Sequence, residues 1–110
     1  MPPTPPPGIL EPFLAAADAA ASTRPEVDAE IARELMAEAA GVLHDSLALD
    51  HLDGHDLAIV VGALADDLTA PDPGAAVRAR AAAVPDGDPD LHDPEGVRGA
   101  YLVSVQVLGL

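Results

Sequence analysis

The stretch His44-Asp-Ser-Leu-Ala-Leu-Asp-His-Leu-Asp-Gly-His-Asp56 decides how this chain folds. His51 and His55 stand at i and i+4, and on an unbroken helix His44 would join them on one face. With Asp53 nearby, that face would carry a donor set suited to zinc or iron. The alternative is that the chain turns here and two helices meet. Gly54 and the flanking aspartates favour the turn, and Asp53-Gly-His-Asp56 reads as an N-cap followed three residues later by an acid. A turn around residues 50 to 53 scatters the three rings, so the stretch is read as an interhelical corner. A metal site of His44, His51, His55 and Asp53 stands as the competing expectation.

Upstream of the corner, Ser22-Thr-Arg-Pro25-Glu26 signals a helix start, with proline at the first helical position and acids after it. Helix 2 is expected from about Pro25 to about Leu49. Its core stripe would be Ile31, Leu35, Ala39, Val42, Leu43 and Leu47, with His44 on the solvent side. A first helix is expected over Ile9 to Ala21, with Pro12 in its first turn, where proline is tolerated. Residues 1–8, Met-Pro-Pro-Thr-Pro-Pro-Pro-Gly, lack the features of a signal peptide and read as a disordered Pro-rich arm.

Downstream, Leu57, Val61, Leu64 and Leu68 form a tight helical stripe, and Ile59 and Ala63 add apolar surface, which makes helix 3 the expected centre. Pro71-Asp-Pro-Gly74 ends it, and a short helix follows from Ala75 to Val84. Residues 85–94 are acidic and dense in breakers, hence a loop. In the last segment Val103-Ser-Val-Gln-Val107 alternates like a strand. A single strand would have no partner, so Pro94 to Leu110 is read as helix. The fold expected is all-α and bundle-like: one small domain, residues 9–110, of four to five helices, with helices 2 and 3 as an antiparallel pair.

Composition agrees with that fold. The 110 residues suffice for one domain, 23 of them are alanine, and only one Phe and one Tyr are present. Nineteen carboxylates face five arginines and no lysine, for a net charge of −14. Direct contact with nucleic acid or an anionic membrane is disfavoured, and a basic protein partner is the complement. The absence of cysteine excludes disulfides and thiolate chemistry and fits a cytoplasmic protein. No apolar run approaches the roughly 20 residues of a membrane span.

Several further patterns bear on function. Glu26, Glu30, Glu34 and Glu38 repeat at i, i+4 along helix 2, and Asp45 continues near that face. A carboxylate every ~6 Å along a rod could meet an arginine cluster on a partner or imitate a phosphate backbone. Asp86, Asp88 and Asp90 open like a calcium loop, but the positions that need Gly and a bidentate acid hold Leu91 and Val97. Asp45-Ser46-Leu47 resembles the tripeptide that carries phosphopantetheine in acyl and peptidyl carrier proteins, which are also small, acidic and four-helical. There the serine opens a helix after a long loop, whereas Ser46 falls late in a helical pattern. No hydrolase elbow or phosphate loop is present. The expectation is a non-enzymatic interaction protein without a cofactor, a small regulator or accessory subunit. It would bind a basic partner through Glu26, Glu30, Glu34, Glu38 and Asp45, with self-association through the apolar residues 97–110 as a further alternative.

Overall fold

The computed structural model describes residues 7–46, 49–84 and 90–110. Among the described residues the chain forms five helices and no strand: α1 (Pro7–Thr23), α2 (Ala29–Asp45), α3 (Gly54–Leu68), α4 (Pro73–Ala83) and α5 (Pro94–Val107). The corner is real. α2 stops at Asp45 with Ser46 as its C-cap, and α3 begins after Asp53, whose side chain accepts from the amide of Asp56. Ser46 therefore closes a helix, its hydroxyl donating to the Leu43 carbonyl, and does not open one as a carrier-protein serine does.

Capping chemistry sets the other starts. α2 begins after Asp28, whose carboxylate accepts the amides of Glu30 and Ile31, so the helix starts four residues later than the proline signal suggests. Pro25 and Glu26 lie in the turn before it. α4 and α5 both start with a proline behind an Asp cap, Asp72 and Asp93, which is the favoured arrangement. The alternating Val103–Val107 segment is helical. Of the expected Pro-rich arm, Pro7 and Gly8 belong to α1, while residues 1–6 lie outside the described residues, as do Leu47, Asp86 and Asp88. Because α1 starts at Pro7, Pro12 falls inside it and not in its first turn.

α3 is the centre of the molecule and packs against each of the other four helices. Val60, Val61, Leu64 and Ala65 are its buried face, and Leu57 and Leu68 are half-buried at its ends. The principal partner of α2 is α1, not α3. That pairing corrects the expected core stripe: Ile31 and Leu35 are 57% and 38% exposed, while Ala32, Met36, Ala39, Ala40 and Leu43 are buried. The reason is the Ala-rich face of α1, where Ala17 and Ala20 are buried beside Phe13. Small residues facing small residues let two backbones approach closely, and Ile31 and Leu35 would hold them apart.

α4 pairs with α5 on the far side of α3, burying Val77, Ala81, Val97, Ala100 and Tyr101. There Arg80 grips the buried carboxylate of Asp67 through two bonds of 2.7 and 2.9 Å, and burial pushes the Tyr101 phenol up in pKa. The radius of gyration, 12.9 Å, is that of a single compact domain of this length. Among the described residues no helix is long and apolar enough to cross a membrane.

Candidate functional site

Two groups of side chains carry the charged chemistry. The first is the outward face of α2. Glu30, Glu34, Glu38 and Asp45 are all exposed along it, as their helical spacing requires. Glu26 leaves the row, because α2 begins only after it. Its carboxylate lies 3.2 Å from Arg24, and its pKa is lowered by a backbone amide and by that guanidinium. Directly beside the acidic row run the exposed Ile31 and Leu35 and the half-buried Val42. The outward face is thus a row of acids along an apolar strip.

No arginine stands over this row. Arg33, the one cation on α2, turns to Asp18 of α1 at 3.6 Å. Arg24 reaches the Asp66 carbonyl and the Thr69 hydroxyl at the end of α3, both at 3.0 Å. Arg78 donates to the carbonyl of Leu110, Arg80 to Asp67, and Arg98 to the carbonyl of Val84. Four of the five arginines are hydrogen-bonded within the molecule, and Arg33 forms only the exposed ion pair with Asp18.

The second group forms where the N-termini of α3 and α5 meet. Asp56, 1% exposed, accepts the amides of His92 and Asp93 at 3.0 and 2.8 Å. Asp53 takes the Asp56 amide on one oxygen and the His92 ring on the other, 2.5 Å away. His51 donates from Nε2 to the Gly96 carbonyl at 3.1 Å, and His55 from Nε2 to the Asp90 carbonyl at 2.6 Å. The rings of His55 and His92 stack with centroids 4.4 Å apart. Three carboxylates at two helix N-termini also complement the positive ends of both dipoles. The His92 pKa is raised, chiefly by its bond to Asp53; that of Asp53 is lowered, chiefly by the Asp56 amide and then by His92.

The expected metal set is therefore divided. His51, His55 and Asp53 gather at this junction, whereas His44 lies exposed at the end of α2, beside Pro12 and Phe13. His92 takes a place beside Asp53 that sequence spacing did not suggest. The available signal was the repeat of His-Asp at the two helix starts, His55-Asp56 and His92-Asp93. One ligand atom each of Asp53, Asp56 and His92 falls within 4.8 Å of the others, close enough for a cation. Both oxygens of Asp56 and one of Asp53 accept backbone amides, and the other Asp53 oxygen meets Nδ1 of His92. These bonds tie the segment that opens α5 to the start of α3, so the arrangement acts as a staple between the two helices. Set beside protein-family models, curated proteins and solved structures, the chain matches none of them.

Proposed function

We propose that this is a non-enzymatic, cytoplasmic interaction protein that presents the outward face of α2 to a basic protein partner. The observation that supports the reading is the pairing of an exposed acidic row, Glu30, Glu34, Glu38 and Asp45, with exposed Ile31 and Leu35 beside it. With four arginines bonded elsewhere and Arg33 turned toward Asp18, four acids face at most one partial counter-charge, and the field at this face is negative. A basic amphipathic helix fits it in both respects: its cations would meet the acids and its apolar stripe would cover Ile31 and Leu35. Imitation of a nucleic-acid backbone is the sharpest form of the same idea. Glu26, engaged by Arg24, contributes less than the other four acids.

The experiment is capture of partners by the tagged protein from its native lysate, followed by washing at low and high salt. Glu34→Arg with Glu38→Arg is expected to abolish capture of a basic protein at moderate salt, while circular dichroism is unchanged. Capture that ignores both charge reversal and salt would end this reading, because exposed charge contacts must be screened.

A metal-dependent role for the α3–α5 junction is the second reading, supported by the closeness of Asp53, Asp56 and His92. Metal analysis of protein purified without chelator decides between them: stoichiometric zinc or iron, lost in His92→Ala, favours the second. Self-association has its own support in Leu102 and Val103, 51% and 36% exposed on α5. Two copies of net charge −14 repel, so sedimentation would show such association strengthening as salt is added.

A further inference from the structure

α3 packs against all four other helices, but α1 does not pack against α4 or α5, which leaves a groove of about 480 Å³ along the exposed side of α3. Among the described residues its lining is helical throughout. Ala16 and Ala20 of α1 form one wall, Gly62 and Ala63 of α3 the floor, and Arg80 of α4 with Tyr101 of α5 the other wall. A Cβ on Gly62 would meet nothing within 4 Å, so the space above the floor is open. Glycine inside a helix costs stability relative to alanine, and no neighbour within the molecule requires it at this position.

The wall of α4 and α5 carries two donors without partners among the described residues. Tyr101 is 2% exposed, and its hydroxyl makes no hydrogen bond. No fully buried side-chain oxygen is left unpaired, so this hydroxyl is the part of Tyr101 that opens on the groove it lines. Burial raises the phenol pKa, against a smaller opposing effect of the nearby Arg80, so the hydroxyl keeps its proton at neutral pH. Arg80 gives Nε and Nη2 to Asp67, which leaves the N–H groups of Nη1 unbonded. Two donors beside an apolar floor call for an acceptor on an apolar body. An anion is the poorer choice, because Asp67 already neutralises Arg80, Asp66 lines the same groove and the net charge is −14. We infer that the groove binds a small neutral carbonyl compound, an amide or ketone on a body of one or two rings. Its oxygen accepts from Tyr101 and Arg80, and its rings lie on Ala16, Ala20, Gly62 and Ala63. The volume is that of ordinary small-molecule sites, roughly 300–1,000 Å³. No residue of α2 lines the groove, so the site does not depend on what the outward face of α2 binds.

Tyr101 is the only tyrosine and the chain has no tryptophan, so tyrosine absorbance reports on this wall alone. Cyclohexanecarboxamide, cyclohexanecarboxylate and cyclohexylammonium are transparent in that band and present one ring with a neutral, a negative and a positive head. Titration of the full chain with the carboxamide is expected to move the tyrosine band to longer wavelength, as a phenol does on donating to a carbonyl. The shift should saturate with a dissociation constant on the order of 1 mM for a ligand of this size. The carboxylate should bind about threefold more weakly, the scale of one exposed charge contact, and the ammonium should give no such shift. Tyr101→Phe, followed by NMR of the alanine methyl groups, should weaken the carboxamide about fivefold, the scale of one hydrogen bond. Gly62→Leu extends a better helix former into open space and should abolish binding while the fold is kept. No saturable shift in the wild type, or binding undiminished in Gly62→Leu, overturns the site. Affinity unchanged in Tyr101→Phe overturns the role of the hydroxyl, and a carboxylate or ammonium that binds as tightly as the carboxamide overturns the neutral carbonyl.

Discussion

Asp56 enters the first turn of α3 as the acid that a capping box asks for, yet its two oxygens go to the amides of His92 and Asp93. Local sequence predicts the acid, and a distant segment claims it. Asp56→Ala would leave two partly buried amides without their acceptors, at a cost of about 3 kcal/mol on the scale of charged hydrogen bonds. Chemical denaturation measures this directly, with Asp56→Asn expected to lose less. The neighbouring pair of His92 and Asp53 should respond to pH. A raised His92 value means that its contribution is complete below the ordinary imidazole value of 6.5 and is lost as pH rises through the higher folded value. Asp53 works the other way: its contribution holds above the ordinary 3.8 and is lost as pH falls through the lower folded value. A double-mutant cycle of His92→Ala and Asp53→Asn should therefore show its largest coupling between about pH 4 and 6.5 and a smaller one near pH 9. Equal coupling at both ends would mean that the charge on His92 is irrelevant to the staple.

At the scale of the element, α2 shows where the sequence can and cannot be read. Its existence and the start of α3 were legible, because caps are local chemistry, whereas its end came at Asp45, four residues before the expected Leu49. Of the face it buries, Ala39 and Leu43 were legible, but Ala32, Met36 and Ala40 were not. Periodicity weighted by hydrophobicity selects Ile31 and Leu35, but the packing partner is the alanine face of α1, and which helix lies opposite is not a local property. The expected consequence is an inversion of the usual ranking. Ile31→Ser should change stability by no more than about 0.5 kcal/mol, while Ala32→Leu should cost about 1–3 kcal/mol by wedging α1 and α2 apart. Thermal or denaturant unfolding of the two variants is the check. The same limit explains His92: its motif was visible, but its approach to Asp53 depends on how α5 returns across α3. For α5 itself, the β-branched alternation yielded to the Asp-Pro start and to the lack of any strand to pair with. Gly96 adds a close constraint, since a Cβ there would stand 2.4 Å from the Asp93 carboxylate and 3.1 Å from the His51 ring. Gly96→Ala should remove the α5 cap, a loss of about 1 kcal/mol, without disturbing α1 or α2.

For the whole molecule, charge is the dominant quantity. A net charge of −14 on a domain of 12.9 Å radius of gyration is self-repulsive, so its melting temperature should rise between low salt and physiological salt as the repulsion is screened. A fall would point to surface ion pairs as the larger contribution. The placement of the five arginines also has a proteolytic meaning. Trypsin needs a basic side chain on an extended segment; Arg24 precedes proline, and Arg33, Arg78, Arg80 and Arg98 all lie within helices. With no lysine to offer a loose surface site, cleavage has to wait until a helix opens. The rate at which trypsin cuts the native chain thus becomes a gauge of how often α2, α4 and α5 unfold, with each fragment reporting the helix that opened.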